Sequence, residues 1–309
     1  MPAVEVEVRP IAPGEVDLAD RVTRLAFGTF MGLPDPAQAF GDAQMVRSRC
    51  AADPERAFVA LRGGELVGLV IASRWGDFGW FGPLAVRPDL WDRGIGRALL
   101  EPVDELFARW AVTQAGLFTF AHSVKHVALY HSRGFWPQHL TTVMELAPAP
   151  GAAAAPPPSP AFEELLDGCR EVAGAILPGL DLSGEIAAAA ELELGATVAV
   201  EEGGRTVAFA VCHTGAGESG SGACFVKFAG VAPGPGAGER FERLLDSCAA
   251  LAADRGLGRI VAGVNLACHD AYRRMLARGY RTAFQGVLMQ RPNEPGFCRP
   301  DAYVLADLR

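Results

Sequence analysis

The residues able to do chemistry crowd into two short stretches of the 309-residue chain. In the first, Arg93-Gly94-Ile95-Gly96-Arg97-Ala98 follows an apolar run, Gly82 to Val86, and opens a helical pattern carried on by Leu99, Leu100, Val103, Leu106, Phe107 and Trp110. Two side-chain-free positions let a bulky anion come close to the backbone. The first N–H groups of the helix have no partner within it and lie at the positive end of its dipole. Arg93 and Arg97 add charge-assisted contacts. The chemistry implied is the cradling of a pyrophosphate. A dinucleotide fingerprint needs a third small residue where this chain has Leu99, and a nucleoside-triphosphate loop needs Lys-Ser/Thr after the glycines, so neither fits.

The second stretch runs from Ala121 to Phe135 and holds Ser123, Tyr130 and three histidines, His122, His126 and His131. Helical spacing sends His126 and His131 to different faces, which leaves His122, at a strand end, as the histidine best placed to act as a base. Asp77, just before a strand, and Glu145, on a closing strand, are the acidic alternatives, with a water as the fourth. No set of side chains converges in threes as a metal site requires, and no metal is expected. No Cys or Ser sits in an evident nucleophile–base pair either.

Taken together, the stretches resemble the GCN5-related N-acetyltransferase (GNAT) superfamily. The matching marks are Val86-x-Pro88, Arg93-Gly94-x-Gly96-x-Ala98-Leu99-Leu100, Ala128-Leu129-Tyr130 and Gly134-Phe135. Two positions depart from the family: Trp91 stands where Gln or Arg is usual, and Ser123 where Asn is commonest. The resemblance covers residues 4–147 with both motifs. It implies acetyl-CoA as co-substrate, bound by Leu84, Ala85, Val86, Arg93, Gly94, Ile95, Gly96, Arg97, Ala98 and Ser123. It further implies direct transfer to an amine, with Tyr130 protonating the departing thiolate. The fold it implies is α/β (α+β): two tandem GNAT-like domains, each a mixed, largely antiparallel sheet splayed at the acyl-CoA site and flanked by helices.

The elements that must position these residues follow from periodicity. Val4–Val8 alternates as a strand, helical stretches cover Ala19–Met31 and Pro36–Ala51, and Ala57–Leu61 with Leu66–Ala72 makes a hairpin about Gly63-Gly64. Phe78–Val86 runs as a strand into the glycine loop. Pro102 is expected to bend the helix that follows. Leu117–Ala121 is a short strand, Val127–Arg133 a helix stopped at Gly134, and Phe135–Leu140 and Thr141–Leu146 two closing strands.

The order then repeats. From Gly64 to Gly94 is 30 residues and from Gly204 to Gly236 is 32, while Gly96 to Gly134 is 38 and Gly238 to Gly279 is 41. Domains are therefore expected at 1–147 and 161–309, with separate cores joined by the Pro/Ala-rich linker 148–160. The second copy reads as degenerate: prolines 233 and 235 remove N–H donors from its loop, Met275 stands where the first copy has Tyr130, and Tyr272 and Asn265 are displaced from useful positions.

Bulk properties narrow the partners. Half of the residues are hydrophobic, enough for two modest cores, and the net charge of −8 comes with no basic stripe, which argues against nucleic acid. Seven scattered cysteines without a C-x-x-C pair suggest reduced thiols and a cytoplasmic location. No basic leader or membrane-length apolar run is present, so no membrane partner is expected. The expectation is an acetyl-CoA-dependent N-acetyltransferase acting on a small-molecule or peptide amine through its N-terminal domain. A homo-oligomer remains open. The alternatives are a non-catalytic acyl-CoA-binding or scaffolding protein, and activity in the C-terminal domain.

Overall fold

A computed structural model describes residues 5–148, 161–215 and 217–309. The first half contains β1 (Glu7–Pro10), α1 (Val16–Phe30), α2 (Met45–Ala52), β2 (Ala57–Arg62), β3 (Glu65–Trp75), β4 (Phe78–Val86), α3 (Ile95–Arg109), β5 (Gln114–Thr119), α4 (Val124–His131) and β6 (Trp136–Leu146). The second contains α5 (Phe162–Ile176), α6 (Ser183–Glu191), β7 (Gly195–Glu202), β8 (Arg205–Gly215), β9 (Gly220–Val231), α7 (Ala237–Asp254), β10 (Arg259–Asn265), α8 (His269–Ala277), β11 (Arg281–Arg291) and a short β12 (Val304–Leu305). The segment expected as a linker lies, from residue 149 onward, outside the described residues.

Local chemistry explains the repeat. Both hairpins turn on Gly-Gly pairs with φ of 57° and 80° at Gly63-Gly64 and 57° and 75° at Gly203-Gly204, a left-handed conformation that costs glycine little. Helices α1, α3, α5 and α7 each bury one apolar face; α3 buries Ile95, Leu99, Leu100, Val103, Leu106 and Phe107 and continues through Pro102. The helix expected over Pro36–Ala51 is instead a single turn at Pro36–Gln38 followed by α2. Phe40 and Gly41 between them take φ of 67° and 56°, which no helix accommodates. The two closing strands expected over 135–146 are one strand, β6.

Among the described residues twelve strands form one sheet, in the order β1-β2-β3-β4-β5-β11-β6-β10-β9-β8-β7, with β12 attached to β9. Among these strands, only β4–β5 and β9–β10 pair in parallel. The halves exchange their last strands. β11 lies between β5 and β6, with Thr119 opposite Val287 and Leu140 opposite Val287, whereas β6 continues to β10, with Thr142 opposite Val264. The expectation of separate cores therefore needs correcting. Val287 and Met289 of the second half pack into the core of the first, and Trp75, Phe78, Trp80 and Met144 of the first half pack into the core of the second. Asn265 ties the exchange together, donating from its side chain to the Thr141 hydroxyl at 2.9 Å.

Candidate active site

The site begins where two neighbouring strands part. β4 pairs with β5 only from Phe78 to Trp80; beyond that point Phe81–Val86 is paired with β3 alone, leaving the other edge of the strand open. Gly94, with φ of 84°, turns the chain into α3. Among the described backbone hydrogen bonds, none uses the N–H of Gly94, Ile95 or Gly96; the N–H groups of Arg97 and Ala98 already bond to Gly94. A row of donors at a helix start thus faces a cleft of about 490 Å³ lined by Leu84, Ala85, Val86, Gly94, Ile95, Gly96 and Arg97. A Cβ at Gly96 would find Leu129 and Leu84 at 3.5 and 3.6 Å, ordinary contact distances, so a small side chain fits the fold while intruding on the cleft.

Of the residues expected to bind the cofactor, Arg93, Ala98 and Ser123 do not line this cleft. Ser123 is buried at the start of α4, where its carbonyl accepts from the N–H groups of His126 and Val127. Sequence reasoning missed Lys125, which lines the cleft with its ammonium 4.5 Å from the Trp91 ring. Trp91, the departure from the family pattern, donates its indole N–H to the Val86 carbonyl at 2.7 Å and closes one wall.

A second cleft, of about 300 Å³, adjoins the first and shares Phe27, Leu84, Phe120 and His126 with it. Tyr130 lines this second space. Burial pushes its phenol well above the usual tyrosine range, so the group stays protonated at neutrality and can act as a proton donor. Its ring lies 5.6 Å from that of Phe81.

None of the three expected bases holds the central position. Asp77 sits at the β3–β4 turn, on the seam with the second half: its N–H donates to the Gly179 carbonyl at 2.8 Å, and it lines neither cleft. His122 lies outside both clefts, stacked on Phe30 at 5.7 Å. Glu145 does line the second cleft, with the Arg259 guanidinium 3.3 Å away. The residue at the junction is His126. Its Nδ1 is buried without a partner, and burial, aided by Lys125, lowers its pKa from the ordinary histidine value. A neutral imidazole at neutral pH follows. The overlooked signal was its i,i+4 spacing to Tyr130, which places both on one face of α4.

The corresponding region of the second half is built differently. β9 also parts from β10, but Val304–Leu305 of β12 pair with Gly230 and Ala229 on the edge so exposed, and the Val231 N–H donates to the Tyr303 carbonyl at 3.2 Å. Tyr303 is anchored by its hydroxyl to Asp270 on α8 at 2.6 Å. At the start of α7, Pro235 has no N–H, Ala237 donates to Gly234, and a Cβ at Gly238 would lie 2.4 Å from the Arg274 guanidinium. The open strand edge and unbroken row of unpartnered helix-start N–H groups of the first half thus have no counterpart at the corresponding place in the second. Among the described residues no group of three or more His, Cys, Asp or Glu could hold a metal ion, and no helix is long and apolar enough to cross a membrane.

Residues 26–135 match the model of the acetyltransferase (GNAT) family. The whole chain superposes on a putative acetyltransferase from Pyrococcus horikoshii with a TM-score of 0.67 at 15% identity, covering 96% of this chain and 93% of that one. A GCN5-related N-acetyltransferase from Sphaerobacter thermophilus gives 0.63 at 17%, covering 94% and 96%. The region described as a glucosamine N-acetyltransferase in a fungal multi-domain β-N-acetylglucosaminidase gives 0.63 at 16%, covering 94% of this chain and 38% of that one. No curated protein matches the chain by sequence. At these identities the structural likeness concerns the fold.

Proposed function

Because residues 26–135 carry a domain of the acetyltransferase (GNAT) family, and the whole chain has the fold of such proteins, we propose that it is an acetyl-CoA-dependent N-acetyltransferase whose N-terminal half performs the transfer. One observation carries the reading: the donor row of α3 and the open edge of β4 lead into a second cleft whose junction holds His126 and whose wall holds Tyr130.

The N–H groups of Gly94, Ile95 and Gly96, with Arg97 and Lys125, suit the diphosphate, and the edge at Leu84–Val86 suits the peptide-like arm. Acetyl-CoA would supply a thioester: the amine nitrogen bonds to its carbonyl carbon, the C–S bond breaks, and an amide and a free thiol result. An alkylammonium, with a pKa of about 10.4, must first lose a proton, and neutral His126 takes it directly or through a water. Once His126 has passed that first proton to solvent, the imidazole receives the second, which nitrogen sheds as the amide forms. Tyr130 donates to the sulfur and regains its proton through His126 and solvent. The second half supplies walls rather than chemistry: Phe225, Val261 and Phe284 line the second cleft.

Two measurements test this together, calorimetric CoA binding and thiol release from acetyl-CoA in the presence of amines. One CoA should bind per chain, and thiol release should depend on an amine. A Gly96→Val protein that is folded and binds CoA like the wild type would sink the assignment; tight CoA binding without turnover of any amine would leave an acyl-CoA-binding protein.

A further inference from the structure

Resting on the transfer reaction just proposed, we infer that the acceptor is a monoamine with an apolar body, an arylalkyl or branched alkyl amine. The second cleft has the size of a site for a small ligand, about 300 Å³, at the lower end of such pockets. Its walls are aromatic and aliphatic, with Phe27, Phe81, Phe118, Phe225, Val261 and Phe284 drawn from both halves. Large apolar side chains cluster at it with unusual exposure: Met31, Phe40 and Phe284 are 41%, 38% and 37% exposed. Apolar surface left in water beside a concave site is what an apolar ligand would cover.

Charge on the walls is scarce and mostly spent: the Arg309 guanidinium pairs with Asp307 at 2.9 Å and lies over the Phe225 ring. Glu218 accepts from Arg49 and Lys227, the latter at 2.7 Å, and both cations lie over the Trp80 ring. Those partners hold its carboxyl well below the usual range, and little negative charge remains for a ligand. Glu145, shared with Arg259, is the other carboxylate, about one-third exposed, and can receive a single ammonium on entry. A second ammonium, as in a polyamine, would lie against aromatic faces without a carboxylate, and the hydroxyls of an amino sugar would lose water with few partners. A peptide needs an extended groove and backbone partners, whereas strands β4, β5, β6, β9, β10 and β11 all contribute to the walls here.

The rim is fixed rather than adaptable. The loop carrying Phe40 is clasped by the second half, with Gln44 N–H donating to the Gly217 carbonyl at 2.8 Å and Ser221 N–H to the Asp42 carboxylate at 2.9 Å. Phe40 itself takes a left-handed φ of 67°, a conformation that costs a bulky residue energy and persists where surroundings impose it.

The experiment uses the full chain, with CoA binding measured first so that the transfer reading is judged separately. Thiol release is then compared for phenethylamine, isoamylamine, spermidine, glucosamine and an unblocked tripeptide. Phenethylamine or isoamylamine should exceed the other three in kcat/KM by about 100-fold, and Phe284→Ala should raise KM for phenethylamine about tenfold with CoA affinity retained. Preference for spermidine, glucosamine or the tripeptide would overturn the acceptor class while leaving the transfer reading intact. If CoA binds but nothing turns over, calorimetry of phenethylamine with the CoA-loaded protein decides: binding weakened by Phe284→Ala upholds the apolar-amine site and removes the transfer, and no binding overturns the acceptor class. Absence of CoA binding overturns the transfer reading itself.

Discussion

The two halves share hairpins, left-handed glycines and a parting pair of parallel strands, yet only the first opens that parting to solvent. On β4 no strand covers the edge beside Leu84–Val86, where only the Val86 carbonyl is taken, by the Trp91 indole; on β9 the equivalent edge is taken by Val304–Leu305. At the helix starts the contrast recurs. A Cβ at Gly96 would meet neighbours only at ordinary contact distances, whereas Gly238 lies beneath the Arg274 guanidinium. The lesson is that a duplicated fold can lose a ligand site by supplying the ligand's contacts from its own chain, keeping the backbone satisfied. The second half still contributes walls, because Phe225 and Val261 line the second cleft.

The comparison can be broken most sharply at the donor rows. Gly96→Val should abolish CoA binding by calorimetry, with at least about a 100-fold loss, while the circular dichroism spectrum is unchanged. Two CoA molecules per wild-type chain would erase the asymmetry altogether. Next in size is Tyr130→Phe, which keeps the ring against Phe81 but removes the proton donor. Turnover should fall about 10²–10⁴-fold with CoA affinity nearly constant, and Met275→Leu, at the matching place in the second half, should change turnover less than about twofold.

A third test uses pH. His126 has its pKa depressed by burial, so it is unprotonated at neutrality and gains a proton only below the ordinary value of about 6.5. Activity should therefore be level near neutrality and fall as pH drops through that lowered value. His126→Gln should cost about 10²-fold and remove this acidic limb from the kcat/KM profile. An unaltered limb would return the base to Glu145 or to a water. The smallest effect is expected at the plug: Tyr303→Phe breaks the bond to Asp270 and should lower stability by about 1 kcal/mol in urea titration without changing turnover.

The sequence was most readable where backbone geometry demands a residue type. Gly94 and Gly134 mark left-handed positions with φ of 84° and 82°, and the element order around them was legible from period and turn residues. Motif position was a looser guide to contact: Arg93 and Ala98 belong to the pattern, Ser123 stands where Asn is commonest, and none of the three lines the cleft. The exchange of β6 and β11 left no trace in alternation, since a strand buried between neighbours reads the same whichever half provides them. The tail after β11 has no period to detect, yet it buries Phe297, Val304, Leu305 and Leu308. Its role depends on an edge that the sequence does not display. His126 stands out from the other histidines only through its i,i+4 spacing to Tyr130, which puts both on one face of α4.

The exchanged strands also set a timetable for synthesis. Residues 115–119 of β5 cannot acquire their partner until 287–291 have left the ribosome, because no other strand fills that place. At about 5–20 residues per second, that edge waits on the order of ten seconds or more. During the interval the nascent first half presents an unpaired apolar strand, the kind of surface on which chains associate with one another. Separating the halves into two genes would turn this delay into a search between molecules, so the duplication, once swapped, binds both copies to a single reading frame.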